Sequence, residues 1–120
     1  MNFQFTKKER MALKKDFERV FREGKVFKDA FTVFYVRPNE YQHSRFGLVV
    51  SKKIGNAVRR NRAKRLLREA CRLHKHLLIS HFDIIILPRY PFSRYLKLSD
   101  FEDNLKRLFR QISEELSKNE

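Results

Sequence analysis

The stretch from Ser51 to His76 constrains this chain more than any other. It carries ten lysines and arginines (Lys52, Lys53, Arg59, Arg60, Arg62, Lys64, Arg65, Arg68, Arg72 and Lys75) against one acid, Glu69. It also carries Ala63, Leu66, Leu67, Ala70 and Cys71 at i, i+3, i+4, i+7 and i+8. That spacing lays the apolar residues along one stripe of an α-helix. Ile54-Gly55-Asn56 reads as a turn with Asn56 as helix N-cap, so a long helix is expected from about Ala57 to His76. Opposite its stripe recur Asn61, Lys64, Arg65, Arg68, Arg72 and Lys75. A merely solvated face would space acids to pair with the bases, and here they are nearly absent. One face is built for a core and the other for anions.

The first turn adds a second feature. Arg59, Arg60 and Arg62 stand where unpaired backbone N–H groups point outward and the helix dipole is positive. A helix N-terminus with guanidinium forks is suited to phosphate. Asn61 between them supplies an amide that can meet a base edge or a 2′-hydroxyl, or brace the turn.

The whole chain shares this bias. Its 120 residues fit one domain, and its net charge of +14 makes a compact body that repels itself. A phosphate backbone is the commonest partner that offsets such a charge. A membrane surface is the other candidate, but no apolar run approaches the roughly 18–20 residues of a spanning helix. No secretion signal is read at the N-terminus, and a single cysteine, Cys71, permits no internal disulfide. These point to the cytoplasm. One cysteine and four scattered histidines make no zinc pattern, and the histidines read as solvated. Charge does not choose between RNA and DNA, although the absence of helix-turn-helix spacing and zinc fingers disfavours DNA.

Around the basic helix the chain reads in short elements. Lys14 to Glu23 is expected as a helix with Leu13, Phe17, Val20 and Phe21 on one apolar face, stopped by Gly24. Val26 to Val36 reads as one strand, and Arg45 to Ser51 as a second that pairs with it in a long hairpin. The continuous apolar run Phe82 to Leu87 suits a strand buried on both faces. Ser99-Asp100-Phe101-Glu102 reads as a capping box opening a helix with Phe101, Leu105, Leu108, Phe109, Ile112 and Leu116 inward. The order is α-β-β-α-β-α, an α/β domain with a small sheet, whose strand–helix–strand unit would ordinarily cross over right-handed. Twelve phenylalanines and four tyrosines exceed what a small core requires, and aromatic faces beside cations suit single-stranded nucleic acid. Periodicity alone still reads Phe17 and Phe21 as core.

The run from Ser51 to Glu69, centred on Arg60-Asn61-Arg62, resembles the signature of the bacterial ribonuclease P protein subunit. The likeness extends to Leu13-Lys14-Lys15-Asp16-Phe17 with Val20-Phe21, and to Phe82-Asp83-Ile84-Ile85-Ile86. It implies one domain over residues 1–120: an α/β (α+β) two-layer sandwich with a small mixed sheet, three helices and a left-handed crossover. It implies a partner, a large catalytic RNA, with which the protein removes the 5′ leader of precursor tRNA by Mg²⁺-dependent hydrolysis. The RNA supplies the active site and binds most of the Mg²⁺, so no catalytic or metal-binding residue is expected in this chain. Carried over by residue, Lys52, Lys53, Arg59, Arg60, Asn61, Arg62, Lys64, Arg65 and Arg68 would meet the catalytic RNA. Phe17, Phe21, Phe34 and Arg45 would line a cleft for the leader, Phe34 standing where some relatives carry a tyrosine. Neither a membrane nor DNA is an expected partner. A protein nuclease is the competing reading, but Asp16, Asp29, Asp83 and Asp100 fall on different elements and suggest no metal cluster.

Overall fold

A computed structural model describes residues 7–89 and 97–117. Its elements are α1 (Lys14–Glu23), β1 (Lys25–Lys28), β2 (Thr32–Pro38), β3 (Arg45–Leu48), α2 (Ala57–His74), β4 (Phe82–Pro88) and α3 (Leu98–Ser117). Short 3-10 turns lie at Lys7–Glu9, Lys52–Ile54 and Lys75–Leu77. The last of these replaces the final turn expected of the basic helix, and α3 begins one residue before the expected capping box.

The four strands lie in the order β1-β2-β4-β3, with β3 parallel to β4 and the other pairs antiparallel. Two expectations fail here. The segment Val26 to Val36 is two strands, because the Asp29 carboxylate accepts the backbone N–H groups of Phe31 (2.8 Å) and Thr32 (2.9 Å) and folds the chain into a turn. The expected hairpin between β2 and β3 is absent, because β4 lies between them. Its residues Phe82 to Ile86 are all buried, so only a central position covers both of its faces.

The main layer pair is the sheet against α2 and α3. Phe34, Val36, Phe46, Ile84 and Ile86 meet Ala63, Leu67, Ala70 and Cys71 of α2 and Phe101, Leu105, Phe109 and Ile112 of α3 in one core. Burial pushes the Cys71 thiol pKa far up, which makes this side chain a packing group. Six of the nine described phenylalanines (Phe27, Phe34, Phe46, Phe82, Phe101 and Phe109) are buried in this core.

Helix α1 crosses the other face of the sheet. There Met11, Val20 and Ile85 form a second, smaller core with Phe17, Tyr35, Val49 and Leu87 against it. The strand register sets two rows on this face, Val26–Tyr35–Ile85–Gly47 and Arg37–Asp83–Arg45. The first lies under α1 and the second is charged. Gly24 does end α1, but in extended backbone with φ −75°, not in the left-handed conformation of a helix-stop glycine. A Cβ there would lie 2.5 Å from the Val20 carbonyl oxygen, so the constraint is close approach.

Candidate nucleic-acid interface

The N-terminal half of α2 forms as its sequence requires. Asn56 caps it by accepting the Arg59 backbone N–H at 3.0 Å. Ala63, Leu67, Ala70 and Cys71 are buried, which turns the remaining faces outward. Lys52 and Lys53 stand exposed on the 3-10 turn just before it, and Arg59, Asn61, Arg62 and Arg65 are exposed on the helix. Arg60, Lys64 and Arg68 are half-buried. No hydrogen bond or ion pair among the described residues engages the side chains of Lys52, Lys53, Arg59, Lys64, Arg65 or Arg68. Arg60 holds its Nε buried without a partner. A buried donor left unmet costs free energy unless a ligand supplies an acceptor.

The cationic face is shorter than its sequence periodicity. Arg72 pairs with Glu69 one turn back, and Lys75 is held by Glu9 at 2.6 Å. The cations not bound to acids therefore end near Arg68. His76 and His81 are exposed as expected, but His74 is not. His74 is largely buried between α2 and α3, 3.6 Å from Glu102; burial lowers its pKa against the opposing pull of that carboxylate. His43, His76 and His81 share a small recess with Glu9 and Lys75. Among the described residues no cluster of three or more His, Cys, Asp or Glu side chains could hold a metal ion.

The aromatic surface lies along α1. Phe21 is 40% exposed and meets the Tyr35 ring edge-on, with centroids 4.9 Å apart. Val26, 47% exposed, is Tyr35's cross-strand partner on the edge strand. Phe17 packs deeper, beside Met11, Val20 and Ile85. The family resemblance favours Phe17 over Phe21 as a cleft residue, yet the more accessible ring is Phe21.

Phe34 is not on this surface. It is fully buried on the opposite face of the sheet, with its ring 6.0 Å from that of Phe109. Successive side chains of a strand alternate, so Thr32, Phe34 and Val36 face α3 while Val33, Tyr35 and Arg37 face α1. The β2 aromatic on the α1 face is Tyr35, one residue on, and it carries the hydroxyl that Phe34 lacks. The alternation of β2 carried this signal in the sequence.

Arg45 is not an open cation either. Its Nε and Nη2 donate to the two oxygens of Asp83 at 2.8 and 2.6 Å, and Nη1 donates to Asp16 at 3.3 Å. Its guanidinium lies 4.4 Å from the centre of the Tyr41 ring. The hydrogen bonds to Asp83 raise its pKa further, so it is a permanent charge. Asp16 and Asp83, distant in sequence, thus come together, but around a guanidinium that they share.

A mixed sheet between one helix and a helix pair, with a run of cations along α2 and aromatic rings beside α1, defines a basic α+β domain. The profile of the family described as Ribonuclease P matches residues 5–113. The chain belongs to that family. It is 37% identical over 115 residues to the ribonuclease P protein component of Thermotoga maritima, covering 93% of this chain and 98% of that one. It is 39% identical to that of Exiguobacterium sibiricum, over 88% of this chain and 90% of the relative. Solved structures agree. The Thermotoga maritima RNase P protein superposes with a TM-score of 0.79 at 36% identity, over 87% of this chain and 97% of that one. The Staphylococcus aureus RNase P protein gives 0.74 at 35%, over 82% and 90%. No helix among the described residues is long and apolar enough to cross a membrane.

Proposed function

We propose that this chain is the protein subunit of a cytoplasmic ribonuclease P, binding the catalytic RNA through α2 and the 5′ leader of precursor tRNA along α1. The observation that carries this reading is the run of cations from Lys52 to Arg68 with almost no internal acid to meet them. Backbone phosphates of a folded RNA are the acceptors such a face suits, and Arg60 and Arg62 would dock first at the positive helix end. The rings of Phe21 and Tyr35 offer stacking faces to unpaired bases. Phe17 packs against the Met11, Val20 and Ile85 cluster on the same side of α1.

In this reading the protein performs no bond cleavage. Mg²⁺ bound by the RNA would supply the activated water for phosphodiester hydrolysis. The protein contributes charge neutralisation and a grip on the substrate segment that mature tRNA lacks. Reconstitution with a bacterial ribonuclease P RNA at low Mg²⁺ tests it. The protein should restore leader removal there, and the protein alone should cleave nothing. Clean cleavage without RNA, or equal affinity for duplex DNA and the catalytic RNA at matched salt, would overturn the proposal.

A further inference from the structure

Helix α1 separates two unlike clefts. Residues advance 100° around a helix, so with Val20 against the sheet, Phe17 and Phe21 fall on one flank and Asp16, Arg19 and Glu23 on the other. The aromatic surface belongs to the first flank. On the second lies a cavity of about 700 Å³, within the range of small-molecule sites. Its floor is the row Arg37–Asp83–Arg45, and its walls are Asp16, Arg19, Glu40 and Tyr41.

The floor is rigid. Asp83 is 3% exposed, grips Arg45 through two hydrogen bonds, and accepts Asn39 Nδ2 at 2.8 Å. The Asn39 side chain also accepts the Tyr41 backbone N–H at 2.9 Å, which fixes the loop that carries Glu40 and Tyr41. Two of the wall side chains are uncommitted. Arg19 and Glu40 have no hydrogen bond or ion pair among the described residues, and the Tyr41 ring, seated on Arg45, is 51% exposed.

Charge decides what fits. Asp16, Glu40 and Asp83 balance Arg19, Arg37 and Arg45, so the cavity is neutral in a chain of net charge +14. A bare anion meets three carboxylates there, and a bare cation meets three guanidiniums. The suited ligand is neutral, planar, and carries donors and acceptors on separate edges. Guanine has both: N1–H and N2–H donors that a carboxylate accepts in parallel, and O6 and N7 acceptors that an arginine fork meets. We propose that this cavity binds a guanine base, with Glu40 on its donor edge, Arg19 on its acceptor edge and Tyr41 stacked on its face. It does not depend on the role assigned to the aromatic cleft.

Titration of the full-length ¹⁵N-labelled protein with GMP tests this by the amide signals of Asn39, Glu40 and Tyr41. GMP should shift them saturably. Inorganic phosphate should not, and IMP, which lacks the 2-amino donor, should bind about tenfold more weakly. Glu40→Gln and Tyr41→Ala, both at exposed positions, should each weaken GMP without altering the fold. Comparing GMP with single-stranded tetranucleotides containing or lacking one guanosine distinguishes a free nucleotide from an unpaired base in RNA. Equal shifts from phosphate, equal affinity for AMP, or GMP signals confined to α2 would overturn the proposal.

Discussion

The ring of Phe17 occupies the space that a side chain at Gly47 would need. A Cβ on Gly47 would lie 2.6 Å from both Cε1 and Cζ of that ring. Strand β3 therefore has to be bare at the point where α1 crosses it. Gly47→Ala should expel the ring, lowering stability by about 1–3 kcal/mol as other overpacked sites do. It should also weaken precursor tRNA more than mature tRNA, since the Phe17 ring leaves its place between α1 and β3. Thermal melts and the two affinities, measured on one preparation, check both halves.

Phe21 and Phe34 should behave in opposite ways. Phe34→Ala empties a fully buried site against Phe109 and should cost about 3–5 kcal/mol of stability. Phe21→Ala removes a ring already 40% exposed, so its melting temperature should move little. Its loss should appear in precursor tRNA affinity, by about 1–3 kcal/mol if one base stacks there. Denaturant unfolding of both variants, paired with leader-dependent binding, separates them.

These contrasts mark what the sequence could convey. The stripe of α2, the Asn56 cap and the double burial of β4 were legible, because each is local and periodic. The order of the strands was not, since pairing joins residues far apart and nothing local says that β4 separates β2 from β3. Phe34 was misplaced by one residue, and a shift of one turns a strand side chain to the other face. Arg72 and Lys75 continue the basic periodicity, yet folding brings each to an acid, Glu69 and Glu9. The role of Arg45 was hidden for the same reason: Asp16 and Asp83 meet it only in three dimensions.

The Arg45–Asp83 pair should be costly to break and tolerable to remove. Their side chains are 14% and 5% exposed. Arg45→Met leaves Asp83 buried beside Asn39 without its guanidinium and should cost about 3–5 kcal/mol. Arg45→Met with Asp83→Leu should recover much of that loss. A double-mutant cycle by urea unfolding measures the coupling.

Asp29 should give the fold an acid-sensitive clasp. Burial favours its neutral form, but the Arg107 hydrogen bond and the N–H groups of Phe31 and Thr32 outweigh it and hold the carboxyl below its ordinary 3.8. Asn104 also donates to it at 2.7 Å, so the β1–β2 turn is tied to α3. A group with a depressed folded pKa stabilises fully above its unfolded pKa and loses that contribution as pH falls through the folded value. Wild-type stability should therefore drop below about pH 4 more steeply than that of Asp29→Asn. Melts from pH 2 to 6 reveal the difference.

Salt dependence should separate Arg60 and Arg62, on the N-terminal half of α2, from Arg72, which is bound to Glu69. Each phosphate deprived of its cation reduces the slope of log affinity against log salt by about 0.7–0.9. Arg60→Ala with Arg62→Ala should thus flatten the slope for the catalytic RNA by roughly 1.5 and weaken assembly most at low salt. Arg72→Ala should do less. Arg72 is bound to Glu69, so its removal also leaves a carboxylate exposed near the RNA; affinity falls by repulsion while the number of released counterions barely changes. Binding measured across a range of salt tells these apart, because the first variant changes the slope and the second mainly the intercept. If Arg72→Ala flattened the slope as much as the double variant, the interface would extend past Arg68 and the Glu69 pair would have to open on binding.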